Sequence, residues 1–531
     1  MTDNKDLTGL SRRSFLVGTG SILLASTLPI GQASAQTTTY IRRNLSDPSA
    51  PLKSYKKAIK AMLELPPSDP RNWYRNAFIH LLDCPHGNWW FLPWHRGYLG
   101  WFEKTCRKLS GDPDFALPYW DWTQERYIPK KFFKGVLNPS HEAFISSYST
   151  FKAEFENPMS DFWNSLTDNQ LCQQKLRGYF SIDDVWQAIE NPEAPMFYPS
   201  DAARRITQEN PYLDCETQTA VSLETIKSAL APSNFIDFGS TVARYHSQTT
   251  GFAILEGQPH NLVHNNIGGF MGNFLSPVDP IFFMHHCNID RLWDVWTRKQ
   301  EKLSLPTLPE GEELAKWQAE SFLFFIDDKG NEVQANTAGD YANICDFNYV
   351  YQPGSGEEVV SAHKKVKTYV KGVSALKPVS GEVIGRSLKF KQLSKSNVNL
   401  PKEILRTAVG EIDGSNLVAE ITIQPPANAR DVRFNVLVNS PKGQDNIELD
   451  NTNFVGALEF FGTPHHRDPV TFTIPLTRAL KALAKTNKLD LDQDQLLEVD
   501  IVPNRKTISR DSLKATFESV ATFESLTIKT F

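Results

Sequence analysis

Cysteine is scarce in this chain. Six among 531 residues are too few to staple a protein of that length, so a disulfide scaffold is excluded. An excess of either charge is missing as well. The formal net charge is −5 and the isoelectric point is near 6.2, which leaves no electrostatic footprint for nucleic acid or an acidic membrane. No internal repeat is visible. The apolar run at the N-terminus is short and interrupted by Gly18, Gly20 and Ser21. That argues against a membrane-spanning anchor.

What the N-terminus does hold is a targeting pattern. Ser11-Arg12-Arg13-Ser14-Phe15-Leu16, the modest apolar run and the small residues Ala33-Ser34-Ala35 resemble a twin-arginine export signal, cleaved after Ala35. The expectation is a periplasmic or secreted protein with no membrane anchor once processed. The remaining chain is too long for one hydrophobic core, and its pattern changes partway. Helical spacing dominates the stretches that carry the histidines, 110–250 is mixed and rich in aromatics and proline, and 300–350 reads as helix followed by short strands and loops. Leu52, Tyr55, Ile59 and Met62 share a helix face, a second helix runs through Trp73, Ala77 and His80, and a long one covers 90–109. A polar stretch (QPGSGEE) opens at Gln352 and continues through His363, Lys364 and Lys365. From about 385 the chain turns to short alternating segments, clearest at 418–423 and 432–438, with turn residues between them. After the 1–35 signal these spans predict a mainly α catalytic domain at 36–352, its central helical bundle holding the site. A linker at 353–384 and an all-β, sandwich-like C-terminal domain at 385–531 complete the expected order.

Seven of the 12 histidines fall in three clusters, at 80/86/95, 260/264 and 285/286. His260 and His264, four apart, lie about one turn from each other on one helix face. Asp279-Pro280 announces another helix with proline at its first position. On that helix His286 and Asp290 share a face, so the carboxylate is expected to orient the imidazole from outside the metal shell. Neutral imidazoles suit zinc, copper, iron or nickel, and the lack of carboxylates makes calcium and magnesium poor fits. The glutamate of HExxH metalloproteases is missing, because Asn261 and Leu262 follow His260. Two sets of three uncharged ligands favour reduced copper, each ion able to give one electron to O2.

Two long motifs carry a family likeness. The run from His86 to Glu103 (HGNWWFLPWHRGYLGWFE) and the run from Asp279 to Asp290 (DPIFFMHHCNID) resemble the first- and second-copper signatures of the tyrosinase and polyphenol oxidase family. The resemblance implies a type-3 centre of two copper ions, with His80, His86 and His95 on one and His260, His264 and His286 on the other. His285, beside the ligand, is placed outside the metal shell. Tyr349-Val350-Tyr351 resembles the tyrosine motif that closes the catalytic domain of plant-type members, and 433–436 and 453–456 resemble patches of their C-terminal domain. Cys84 meets both the plant spacing (four residues after the first ligand) and the fungal one (two before the second). By that likeness it is expected to form a thioether to His86.

The resemblance also implies function: small phenolic substrates and O2, oxidation of o-diphenols to o-quinones, and o-hydroxylation of monophenols. It places Glu256 on a bound water that Asn261 helps polarise, the buried carboxylate able to act as base, with Phe274 as a gate over the pocket and Asn265 as a substrate-orienting residue. A C-terminal domain of this kind covers the copper site in relatives, so a latent enzyme is expected. The alternatives are a catechol oxidase or o-aminophenol oxidase that lacks the hydroxylation step, a haemocyanin-like O2 carrier and, further off, a zinc hydrolase.

Overall fold

The computed structural model describes residues 39–530 apart from 335, 363–375, 390–391, 393, 411–415, 426–431, 442–450, 463–467 and 506–518. The export signal and the His363 to Lys365 part of the polar stretch lie outside the described residues. Where helical spacing was read, helices stand. Leu52–Glu64 buries Leu52, Tyr55, Ile59 and Met62 and packs on the long helix Phe91–Ser110. Helix Trp73–Asp83 starts where the Asn72 side chain accepts from the backbone N–H of Tyr74 and Arg75, two donors with no partner inside the helix. Phe91–Ser110 ends at Gly111, whose φ of 68° lets its N–H turn back to the Arg107 carbonyl. The helix announced by Asp279-Pro280 runs Ile281–Leu303. Asp279 accepts from the N–H of Ile281 at 3.1 Å and is paired with Arg204. Stacked Phe102 and Phe283 join this helix to Phe91–Ser110.

An ionic knot locks the helical part. Arg42 lies on the strand Tyr40–Arg42, which pairs in parallel with Tyr349–Tyr351. Arg42 bonds Glu103 and Asp290, and Arg96 bonds Asp290 from the other side. Both ends of the helical part are thereby tied to its two longest helices.

Beyond it the chain builds two facing sheets. One has the order Gly251–Phe252, Val470–Pro475, Leu417–Gln424, Ser519–Thr530, Lys377–Lys389; the other runs Ser394–Leu400, Gln495–Arg505, Val432–Val438, Phe454–Leu458. Alternate residues such as Ala419, Ile421 and Ile423 meet Phe434, Val436 and Val438 in one core, as packed sheets require. Two helices, Lys402–Val409 and Thr477–Lys485, accompany the sheets. The edge strand Gly251–Phe252 comes from the helical part and pairs in parallel with Val470–Pro475, so the second core is anchored to the first by backbone hydrogen bonds. Among the described residues no helix is long and apolar enough to cross a membrane.

Candidate metal centre

His80 comes from helix Trp73–Asp83, His86 from the turn after it and His95 from Phe91–Ser110. His285 and His286 sit on Ile281–Leu303. His260 ends a π-helical turn, Glu256–His260, that contains Pro259. A proline cannot donate to the usual carbonyl, and such bulges recur at functional sites. The chain then continues as the helix Asn261–Ile267, which brings the rings of His260 and His264 to 4.5 Å. All seven histidines are buried.

Hydrogen bonds decide which nitrogen of each ring is available. Nδ1 of His80 bonds the Phe274 carbonyl at 2.8 Å, that of His95 the Phe91 carbonyl at 2.8 Å and that of His264 the Met271 carbonyl at 2.7 Å. His260 Nδ1 bonds Asn261 Oδ1 at 2.8 Å. A carbonyl oxygen only accepts, so Nδ1 carries the hydrogen and Nε2 keeps its lone pair. Nε2 of His80, His86, His95 and His260 is buried with no hydrogen-bond partner among the described residues, a costly arrangement unless a ligand takes the lone pair. Nε2 of His264 and of His286 stand 3.0 Å apart. That is near the roughly 3.4 Å between two nitrogens bound tetrahedrally to one ion about 2.1 Å away. The two sets face each other, with His95 stacked on His286 at 4.2 Å and His86 on His260 at 5.5 Å. Burial holds the six imidazoles below their ordinary pKa, to about 3 for His95 and His264. They are neutral, the state a metal ligand requires.

Distance alone admits a fourth nitrogen on the second side, since ligand atoms of His260, His264, His285 and His286 all lie within 4.8 Å of one another. His285 is set apart by its partner. The Trp122 indole N–H donates to its Nδ1 at 3.1 Å, which puts the ring hydrogen on Nε2.

The other expected site residues have partners of their own. Glu256 is buried and accepts from the Gly87 N–H and from Ser240 Oγ, both at 2.6 Å. Burial raises its pKa to about 8 against those two donors. Asn261, besides holding His260, donates to the Glu459 carbonyl at 2.9 Å, and Asn265 donates to the Phe460 carbonyl at 2.8 Å. Phe274 stands 6.4 Å from the His80 ring and 5.9 Å from the His86 ring. Cys84 Sγ lies 3.4 Å from His86 Nδ1. Asp290 corrects the expectation drawn from helical spacing: it bonds Arg96, Arg42, Tyr349 and Tyr351, and His286 Nδ1 has no hydrogen-bond partner among the described residues. Sharing a helix face brought Asp290 near the right turn, but two buried guanidiniums attract a carboxylate more strongly than a neutral imidazole does.

One residue went unread in the sequence. Phe461 projects from the C-terminal part into the imidazole pocket, its ring 4.4 Å from His264, 4.5 Å from His86 and 5.6 Å from His260. Gln258, Asn261 and Asn265, spaced three and four apart on one helical face, donate to the carbonyls of Ala457, Glu459 and Phe460 and hold that segment down. At Gly462 (φ 64°) a Cβ would come within 2.5 Å of the Phe274 ring, so the close approach requires glycine. The available signal was the pair Phe460-Phe461: adjacent residues of an extended chain point to opposite sides.

A second feature braces the turn that carries His86. The His246 ring bridges Glu320 at 2.6 Å and Asp83 at 3.0 Å. Its carbonyl accepts from Asn88 at 2.9 Å, and Thr249 donates to the His86 carbonyl at 3.1 Å. Burial lowers the imidazolium's pKa, but the two carboxylates outweigh it and hold it above the ordinary value. A raised folded pKa gives stability that is complete below the unfolded value of about 6.5 and is lost as pH rises through the folded one. Over that window the wild type should therefore lose more stability than His246→Gln, which keeps only the pH dependence set by groups such as Glu256 and the buried imidazoles. At low pH the variant should be about 3–5 kcal/mol less stable, the cost of stranding a buried charge. Denaturant melts at pH 6 and pH 9 check both statements.

Two opposed triads of neutral, buried imidazoles define a binuclear metal centre of the all-histidine kind. Residues 58–299 match the family model described as the common central domain of tyrosinase. That stretch, under half of the chain, marks a tyrosinase-type central domain, whose cofactor is a type-3 pair of copper ions, and the donor set found here fits it. A chloroplastic polyphenol oxidase of Malus domestica is 26% identical over 505 residues, covering 88% of this chain and 75% of that protein. The tyrosinase HcTyr1 of a Hahella strain is 27% identical over 282 residues, covering 46% and 50%. Among solved structures, latent aurone synthase, a polyphenol oxidase from a natural source, superposes with a TM-score of 0.59 at 20% identity, covering 95% of this chain and 92% of that one. That likeness extends the shared fold through the C-terminal sheets.

Proposed function

We propose that this protein is an exported phenol oxidase that converts o-diphenols to o-quinones with O2, hydroxylates monophenols and is held latent by its own C-terminal part. His80, His86 and His95 would hold one copper ion, and His260, His264 and His286 the other. Bound there, the two ions supply the electron relay between phenol and O2; overall, two catechols and one O2 give two quinones and two waters. The opposed imidazole triads with their Nε2 lone pairs turned inward carry this reading. Glu256, with a pKa near 8, is poised close to neutrality as the base for a phenol whose own pKa is about 10. Asn261 would polarise the water between them, Asn265 orient the ring and Phe274 stack on it. The twin-arginine pattern supports export.

In the structure Asn261 and Asn265 are both spent on carbonyls of the covering segment. Their proposed roles therefore need the cover displaced. Oxygen uptake by copper-loaded protein, before and after cleavage within 352–372, tests the whole reading. Catechol and monophenol should both be consumed after cleavage, and no uptake with either would overturn it. In the cleaved form Asn261→Gly should lower monophenol turnover at least about tenfold more than diphenol turnover; equal losses would remove Asn261 from proton transfer. One observation favours an O2 carrier as the second reading: Phe461 closes the pocket to a phenol more completely than to O2. Sustained catechol turnover excludes it.

The 3.4 Å approach of Cys84 Sγ to the His86 ring supports the thioether. After copper loading in air the intact mass should fall two hydrogens below the sequence value, and Cys84→Ser should restore it. An unchanged wild-type mass would leave Cys84 a plain buried thiol.

A further inference from the structure

Behind the helix Trp73–Asp83 lies a cavity of about 350 Å³, within the size range of small-molecule sites and lined by none of the seven histidines. Arg75 reaches into it and is only 8% exposed. Of the other buried arginines, Arg42, Arg96, Arg204 and Arg433 each bond a carboxylate, Arg291 lies 3.9 Å from Glu357, and Arg177 donates to the Cys84 carbonyl at 2.8 Å. Arg75 has no carboxylate within ion-pair distance among the described residues. Its Nη1 makes two long bonds, to the carbonyls of Pro67 at 3.4 Å and Pro158 at 3.5 Å, and the Phe162 ring lies 4.9 Å away. Asp69 is taken by Arg71 at 2.7 and 3.0 Å. Burial draws the Arg75 pKa down, yet a guanidinium stays charged at neutral pH. A charge removed from water with no carboxylate bonded to it is the kind of group a ligand anion stabilises.

The walls say what sort of anion fits. Phe78, Leu82, Met159 and Phe324 make the interior apolar. The carboxylates of Asp161 and Glu332 stand on its exposed edge and repel a multiply charged group such as a phosphate ester. We propose that this cavity binds a small monocarboxylate with an aromatic or branched apolar body, its carboxylate paired with Arg75. The site is independent of the copper reading, since it shares no side chain with the imidazole pocket.

Calorimetric titration of the full-length, copper-free protein with 3-phenylpropanoate, and with the neutral 3-phenylpropan-1-ol, tests it. The acid should bind one per chain and at least about tenfold more tightly than the alcohol, the discrimination expected of a charge-assisted bond. Arg75→Lys should erase most of that preference without changing alcohol binding. Should that variant not fold, Asp161→Asn and Glu332→Gln, both at exposed positions, remain. Each should tighten the acid two- to threefold and leave the alcohol alone, the modest effect of a solvated charge. Equal affinity for acid and alcohol, no binding of the acid at millimolar concentration, or acid binding indifferent to these substitutions (as for an acid lodged among the histidines) would each overturn the proposal.

Discussion

His286→Ala should cut the copper content from two ions per chain to one and reduce oxygen uptake by the cleaved enzyme about a thousandfold or more, because one ion alone cannot run a two-metal reaction. His285→Ala, one residue away, should keep both ions, with affinity weakened by no more than the roughly 10–100-fold typical of residues outside the metal shell. The two rings are equally buried and belong to one helix. Their hydrogen bonds separate them. Trp122 donates to His285 Nδ1, which commits the hydrogen of a neutral ring to Nε2 and leaves no lone pair there for a metal. His286 Nδ1 has no such partner, and its Nε2 points at the Nε2 of His264 from 3.0 Å. Metal analysis with parallel oxygen-electrode runs gives the answer. Loss of copper in His285→Ala with retention in His286→Ala would reverse the assignment, and equal loss in both would mean that the indole bond does not govern the tautomer.

How far such a site can be read in advance depends on the range of the interaction that builds it. Helix faces are local, and the apolar spacing of Leu52, Tyr55, Ile59 and Met62 matched the face that is buried. The strands at 418–423 and 432–438 were visible for the same reason, as alternation over a few residues. Partners chosen across the fold were not. Asp290 selects Arg42, 248 residues away, and nothing in the periodicity of its own helix distinguishes that choice from the nearby imidazole. The amides of Asn261 and Asn265 illustrate a different limit. Motif position marks them as polar groups at the pocket, but only the folded chain shows that their donors meet carbonyls of Glu459 and Phe460. His246 is similar: a single histidine at no motif spacing, it acquires meaning only between Asp83 and Glu320.

Phe461→Ala should raise catechol turnover by the uncleaved, copper-loaded chain about tenfold or more. The adjacent Phe460 and Phe461 belong to different cores. Phe460 packs among the sheets and Phe461 against the helical part, so one short segment plugs two spaces at once. Removing the Phe461 ring forfeits burial of about 3–5 kcal/mol, and that burial both fills the space among the imidazoles and holds the segment against them. Opening should stop short of full activity. Gln258, Asn261 and Asn265 still grip the carbonyls of Ala457, Glu459 and Phe460, and Arg433 still joins Glu459 to Asp214. Cleavage within 352–372 of the Phe461→Ala chain should therefore add a further gain, smaller than the gain cleavage brings to the wild type. Phe460→Ala makes the contrast, since its ring fills the sheet core: it should cost stability without a comparable rise in turnover of the protein that remains folded. If Phe461→Ala and the wild type consume catechol at the same rate before cleavage, Phe461 is a packing residue, and latency must arise from some other part of the covering segment.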